Sequence, residues 1–193
     1  MGGMSAFTPG KSEAQREEQT RKVREDKERE ASWGHDGCWV SHPYFIGTAM
    51  SAFKLGNQLH LKQPEFDKYS DVLPKACGPY TLQGLRTNIR VGIAYLNGWN
   101  QDIGCVSFDN LMEDLATLEI SRAQVWQWLH HQITLDDGTR VTPELVQSLF
   151  SEEFEKIKNE LPLEGLSKAR ADAEELFLKS ELPEFLSLSS IEE

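Results

Sequence analysis

Hydrophobic and polar positions along the chain form one pattern up to about residue 56 and a different one beyond residue 80. The first pattern alternates short apolar runs with helical runs. We predict a strand in Gly2–Phe7, a charged, solvent-facing helix within Lys11–Glu30, a second strand in Cys38–His42 and an apolar helix over Phe45–Leu55. This strand–helix–strand–helix order is typical of a parallel α/β fold.

Beyond residue 80 the apolar positions recur at helical spacing. Leu85, Ile89, Ile93 and Leu96 follow one face of a predicted helix, and a further helix is predicted over Leu115–His131. Thr142-Pro143-Glu144 has the composition of a helix start, with an N-cap residue before proline. Further helices are predicted over Leu145–Leu161 and Ser167–Lys179. We therefore predict an all-helical second part.

Three prolines, Pro64, Pro74 and Pro79, lie among scattered charges between these two parts. Proline-rich segments of this kind are typical of connections. The predicted organisation is an α/β part at residues 1–56, a connecting segment at 57–79 and an all-α part at 80–193.

Composition and charge narrow the class of protein. Of the 193 residues, 39% are hydrophobic and 26% charged, values of a globular protein. No apolar run approaches the roughly 20 residues needed to span a bilayer, and the first residues do not resemble a signal peptide. The net charge is −11, and residues 136–193 hold 15 acids against 6 Lys or Arg, which argues against a nucleic-acid surface. We expect a soluble intracellular protein.

One segment nearly matches a phosphate-binding loop. Ser5–Ser12 reads SAFTPGKS, close to GxxxxGK[ST], and it lies between a predicted strand and a predicted helix. However, Ser5 replaces the first glycine, and Pro9 removes an N–H group that would bind phosphate. We favour an ordinary strand-to-helix loop over nucleotide binding.

The histidines and cysteines lack the spacing of a metal site. His35, His42, His130 and His131 do not form the i,i+4 pair of a zinc enzyme, and no CxxC motif is present. The three cysteines are Cys38, Cys77 and Cys105. A cysteine nucleophile needs a nearby base, which the sequence does not reveal, so Cys105 is interpreted as a buried or half-buried thiol in a linker.

Two adjacent acids, Glu113 and Asp114, precede the helix predicted from Leu115. Acids at a helix start are stabilised by the free N–H groups, and Asn110-x-x-Glu113 has the spacing of a capping box. A helix start also favours an ionised carboxylate, which suits a general base. Composition and spacing favour capping and leave a catalytic role open.

Five segments occur in the following order: GGMSAF (Gly2–Phe7), VREDKERE (Val23–Glu30), GHDGCWVSHP (Gly34–Pro43), LRTNIRVGIAYL (Leu85–Leu96) and IGCVSFDNLMEDLATLEISRAQVWQWLHH (Ile103–His131). Together they resemble malate synthase, in the shorter form typified by the glyoxylate-cycle enzyme. The last block is highly specific, and the resemblance covers nearly the whole chain.

The resemblance implies a Claisen condensation of acetyl-CoA with glyoxylate, followed by thioester hydrolysis to malate and CoA. In the family the aspartate of MED removes a proton from the acetyl methyl group, a role that maps onto Asp114, with Glu113 as its non-catalytic neighbour. Glyoxylate is held on Mg²⁺. Pro43 matches a position that lines the acetyl-CoA site, and Met112 and Cys105 are expected near the CoA channel.

The family fold is a (β/α)₈ TIM barrel followed by a C-terminal helical plug, and a barrel alone takes about 250 residues. Only the last two barrel strands are expected in this chain. The magnesium-binding acids and the catalytic arginine of the family have no match, and that arginine's role is not assigned to Arg86, Arg90 or Arg122. We therefore expect the end of the barrel plus the plug, and an inactive isolated chain.

Two alternatives remain open. One is that the chain is part of a longer malate synthase. The other is that it is a short protein acting as a non-catalytic helical binding or assembly module derived from that enzyme. The C-terminal Ile-Glu-Glu is not a peroxisomal Ser-Lys-Leu signal, so we expect a cytoplasmic location or a peroxisomal or glyoxysomal one reached by another route. The sequence does not indicate an oligomeric state.

Overall fold

The computed structural model describes residues 1–54, 56–60, 78–182 and 184–185 of the chain. It divides the polypeptide into two compact units. The first comprises Met1–Lys75 with Asp109–Met112, and the second comprises Ala76–Phe108 with Glu113–Glu193. Most of the predicted connecting segment, including Cys77, lies outside the described residues.

The first unit contains the predicted strand–helix–strand–helix order. Its elements are β1 (Gly2–Ser5), α1 (Glu13–Ser32), β2 (Cys38–Val40), a 3₁₀ turn (Pro43–Phe45) and α2 (Ile46–Met50). The strands are parallel and pair Met4 with Trp39 and Ser5 with Val40. The last helix is shorter than predicted, because Pro43–Phe45 forms the 3₁₀ turn and the α-helix ends at Met50.

Helix α1 begins with a reciprocal capping box. The Ser12 hydroxyl accepts the Gln15 N–H at 3.2 Å, and Gln15 Oε1 accepts the Ser12 N–H at 3.1 Å. The prediction of a solvent-facing helix is wrong for one of its faces. That face is buried and carries Gln19, Val23, Lys27 and Glu30.

Lys27 is fully buried on this face. Its Nζ donates to the Gly3 carbonyl at 2.8 Å and lies 3.0 Å from Asp26 and 3.1 Å from Glu30. Glu30 also accepts the Gly3 N–H at 2.9 Å. Burial alone would lower the pKa of Lys27, but the bonds to Asp26 and Glu30 raise it above its ordinary value. The charged group therefore fixes α1 against β1.

The second unit surrounds its longest helix. Its elements are α3 (Leu82–Trp99), β3 (Cys105–Phe108), α4 (Leu115–His130), α5 (Pro143–Ile157) and α6 (Leu166–Phe177). The last two residues of β4 (Leu111–Asp114) also belong to it. Helix α3 packs against α4, α5 and α6. Its close approach to α6 depends on Gly92, where an added Cβ would lie 2.7 Å from Phe177 Cζ. The apolar residues that recur at helical spacing along α3 therefore lie in a core formed between helices.

The prediction of an all-helical second part is wrong at the β3–β4 pair. Asp109 and Asn110 have φ angles of +48° and +61°, the left-handed conformation that two-residue hairpin turns require. Each strand has only four residues, too few for an alternating pattern to stand out against the neighbouring helical repeats. The hairpin lies directly before α4.

The other helix predictions in this unit are confirmed within a few residues. Thr142 caps α5 by accepting the Leu145 N–H, with Pro143 at the first helical position. Along the described parts of the chain, no helix is both long and apolar enough to cross a membrane.

Candidate active site

Asp114 lies at the junction of β4 and α4. It is the N-cap of α4, and its Oδ1 accepts the Thr117 N–H at 3.2 Å. In return, Thr117 Oγ1 accepts the Asp114 N–H at 2.8 Å. The side chain is half-buried. These reciprocal bonds hold the Asp114 carboxylate at the N-terminus of α4, the positive end of the helix dipole.

Glu113 has a different environment from its neighbour. It belongs to β4 and is 6% exposed, because successive residues of a strand point to opposite faces. The predicted Asn110–Glu113 capping box is therefore wrong. The capping box is formed by Asp114 and Thr117, while Asn110 is a residue of the hairpin turn.

The three residues predicted near CoA lie in different local settings. Pro43 is exposed and opens the 3₁₀ turn after β2. Met112 is half-buried on β4, two residues before Asp114, and its N–H donates to the Ala6 carbonyl at 2.7 Å. Cys105 is exposed at the start of β3, so the prediction of a buried or half-buried linker thiol is wrong.

The arginines of the second unit are engaged in ion pairs. Arg86 and Arg90 of α3 bond the buried Glu153 of α5, at 2.5 and 3.4 Å. Arg122 pairs with Glu119 and donates to the Glu184 carbonyl at 2.7 Å. These partners give all three arginines structural contacts.

The donor groups of the described residues do not fit a resident metal ion. In the part of the chain that the structure describes, no three His, Cys, Asp or Glu side chains lie close enough together to hold a metal. The histidines have local contacts instead: His42 accepts the Tyr44 N–H at 3.1 Å, and His130 stacks on Trp126.

The loop that resembles a phosphate-binding motif uses its backbone N–H groups internally. The Gly10 N–H donates to Gln19 Oε1 at 2.9 Å, and the Ser12 N–H donates to Gln15. Gln19 also donates to the Thr8 carbonyl at 3.1 Å. These contacts are those of a strand-to-helix connection, the interpretation that the sequence favoured.

Comparison with known proteins gives two family matches. The model described as malate synthase, C-terminal, matches residues 79–193, and the model described as malate synthase, TIM barrel domain, matches residues 1–74. Among curated proteins, the chain is 42% identical to malate synthase A of Escherichia coli over 97% of its own length. It is 43% identical to malate synthase of Myxococcus xanthus over 97% of its length, and 39% identical to glyoxysomal malate synthase of Zea mays over 98%.

The chain spans only part of each of these relatives. It covers 38% of the E. coli protein and 37% of each of the other two. Nearly all of its own residues align, so the similarity extends across both units.

Proposed function

Because the chain belongs to the malate synthase family, we propose that it supplies the general base of a malate synthase. In this proposal a further part of the polypeptide, outside these 193 residues, completes the barrel. The substrates are acetyl-CoA and glyoxylate, and the products are malate and CoA. The observation that carries this proposal is the half-buried Asp114 carboxylate at the N-terminus of α4.

Asp114 removes a proton from the methyl group of acetyl-CoA. The resulting enolate carbon forms a bond to the aldehyde carbon of glyoxylate as the C=O π bond breaks, and the aldehyde oxygen takes up a proton to become a hydroxyl group. Water then cleaves the thioester to release CoA and malate. The Thr117 N–H fixes one carboxylate oxygen, which orients the other toward a substrate proton. In this proposal Pro43 contributes to the acetyl-CoA site, as its match in the family does, and Met112 and Cys105 lie near the CoA channel.

Residues 1–56 are the last two strands and helices of a (β/α)₈ barrel, residues 57–79 connect, and residues 80–193 form the helical plug. Two side chains of the first unit support this assignment. Met4 and Trp39 are register partners on the parallel pair, and they are 41% and 61% exposed. Parallel strands are normally covered and paired within larger sheets, so further barrel strands would bury both side chains.

The Mg²⁺ that the family implies is not held by the described residues. In this proposal its ligands lie on the remaining barrel, and no step is assigned to the ion through residues of this chain. We therefore expect the 193-residue chain alone to be inactive. A non-catalytic helical binding or assembly module is the competing function.

The test is complementation. The chain is co-expressed with the part of E. coli malate synthase A that precedes its matched region, and CoA release from acetyl-CoA, glyoxylate and Mg²⁺ is followed. Activity is expected only from the complex. CoA release by the 193-residue chain alone would refute the prediction that this chain is inactive. A complex that co-purifies but has no activity would favour the non-catalytic module.

Within the active complex, Asp114→Asn tests the base. Asparagine is also a good N-cap, so the helix start is preserved while the proton acceptor is lost. We expect kcat to fall by at least about 100-fold, with acetyl-CoA binding retained. The matched control is Asp102→Asn, in a loop residue with φ of +61° that asparagine tolerates. An Asp114→Asn complex with the parent kcat would remove the assignment.

A further inference from the structure

A groove with largely apolar walls lies between β2 and α2 in the first unit. It encloses about 350 Å³. One wall is the face of β2 that carries the half-buried Cys38 and Val40, opposite the face of the exposed Trp39, because successive strand residues point to opposite sides. The other wall comes from α2 and the turn that follows it, through Ile46, Ala49, Met50 and Phe53. These residues define the β2–α2 groove.

The α2 wall leaves apolar surface in water. Ile46 is 44% exposed, and Met50, four residues further along the helix, is 69% exposed. Residues four apart lie on the same side of a helix, so these two side chains form one apolar edge along the groove. Contiguous apolar surface beside an apolar cavity is typical of an interaction site, whereas single exposed apolar residues are not.

The lining does not suit a small polar ligand. Among the described residues that line the groove, Asp36 is the only charged one, and its Oδ1 already accepts the Gln58 N–H at 2.6 Å. Sites for small molecules place several polar groups toward the ligand, and the Cys38 thiol is only a weak donor. The groove is therefore suited to an apolar partner surface.

We propose that the β2–α2 groove binds an amphipathic α-helix of the polypeptide that completes the barrel, with the apolar face of that helix covering Cys38, Val40 and Met50. The inference rests on the proposed function. Residues 1–74 match a TIM-barrel model while the chain spans only 38% of the E. coli relative, so most of such a protein remains to occupy the groove. The outer faces of parallel barrel strands are covered by a ring of helices, which is why a helix is expected on this face of β2.

Alkylation of Cys38 reports whether the groove is occupied. The 193-residue chain and its complex with the preceding part of E. coli malate synthase A are each treated with iodoacetamide, and labelling of Cys38 is followed by peptide mass spectrometry. Burial raises the pKa of the Cys38 thiol, so labelling is carried out at alkaline pH. We expect the half-buried thiol to react in the isolated chain and to react at least about 10-fold more slowly in the complex. Equal rates in the two samples, or failure of the two parts to associate, would overturn the proposal.

The isolated chain also tests the other occupants. We expect its Cys38 to react at a rate that does not depend on protein concentration. A thiol that is unreactive even in dilute chain would show that the chain fills its own groove. Labelling that slows as the concentration of the isolated chain rises would identify a second copy as the occupant. Either result would contradict the proposed helix.

Met50→Lys tests the groove edge directly. Lysine is favourable in the last turn of a helix, and Met50 is mostly exposed, so the isolated variant is expected to keep the parent circular dichroism spectrum. In the complex the ammonium group would be buried without a partner, and the Kd for the two parts is expected to rise at least about 10-fold. The matched control is Leu163→Lys, at a side chain that is 67% exposed and lies between α5 and α6, and its Kd should equal that of the parent. A parent-like Kd for Met50→Lys would remove the groove from the interface.

The results for docking and for catalysis can be told apart. A complex in which Cys38 is protected but no CoA is released would refute the proposed function and support the groove as the docking site. An active complex in which Cys38 reacts as fast as in the isolated chain would support the proposed function and refute docking at the groove.

Discussion

Glu153 is the buried carboxylate that ties α5 to α3, and its replacement tests how that junction is stabilised. The residue is 1% exposed, and its oxygens lie 2.5 Å from Arg86, 2.7 Å from Lys156 and 3.4 Å from Arg90. Glu153→Gln preserves the side-chain shape and removes the charge. The three cations then share only a neutral acceptor at this position.

The size of the effect follows from these contacts. Removing one partner of a buried ion pair typically costs about 3–5 kcal/mol, because the other charge is left uncompensated. Here Arg86 keeps Glu152 at 2.6 Å and Arg90 keeps Glu160 at 2.8 Å, so neither arginine is left without a carboxylate. We therefore expect the free energy of unfolding to fall by a smaller amount, about 2–3 kcal/mol.

The contribution of Glu153 also depends on pH. Burial alone would raise the pKa of this carboxyl, but the bonds to Lys156 and Arg86 lower it below its ordinary value. The folded state therefore holds the ionised form more strongly than the unfolded state does. The stabilisation is fully present above the unfolded pKa of about 4.3 and is lost as the pH falls through the lower folded pKa.

The assay is urea unfolding followed by helical circular dichroism, at pH 7 and again in acid. The matched control is Glu155→Gln on the same helix, where the side chain is 68% exposed and pairs with Lys158. We expect no measurable change for the control at pH 7. The difference in unfolding free energy between Glu153→Gln and the parent is expected to become smaller in acid. Equal unfolding free energies for the two variants at pH 7 would refute the reasoning.

Two further substitutions probe close packing and the buried cation. Gly92→Ala is expected to lower Tm, because the overpacking cost of about 1–3 kcal/mol against Phe177 exceeds the gain of about 1 kcal/mol in helix propensity. The control is Gly47→Ala, where an added Cβ has nothing within 4 Å, and this substitution is expected to raise Tm. A Gly92→Ala protein more stable than the parent would show that the two helices separate easily. Lys27→Met should destabilise the first unit by about 3 kcal/mol, because the buried Glu30 carboxylate loses its cation while Asp26 keeps Arg29. The loss is measured as faster hydrogen exchange in α1. The control is Lys22→Met, at a side chain that is 51% exposed, and its α1 amides should exchange at the parent rate. Parent-like exchange in Lys27→Met would contradict the stabilising role assigned to Lys27.

Much of the local structure was determined by the sequence. The Thr142-Pro143 start of α5 and the apolar repeat of α3 are short-range features, because capping and helical periodicity involve residues within a few positions of each other. The family is also determined by sequence, since the two malate synthase models match residues 1–74 and 79–193. The catalytic role of Asp114 is a prediction drawn from that resemblance.

Tertiary structure decided what surrounds those residues. The hairpin turn at Asp109 and Asn110 places Glu113 and Asp114 on opposite faces of one strand, so one carboxylate is buried and the other is half-exposed. Lys27 is buried although its segment is densely charged, and the buried Tyr95 hydroxyl has no hydrogen-bond partner within the described ranges. These outcomes depend on packing between residues distant in sequence, and neither composition nor periodicity specifies which atoms such packing removes from water.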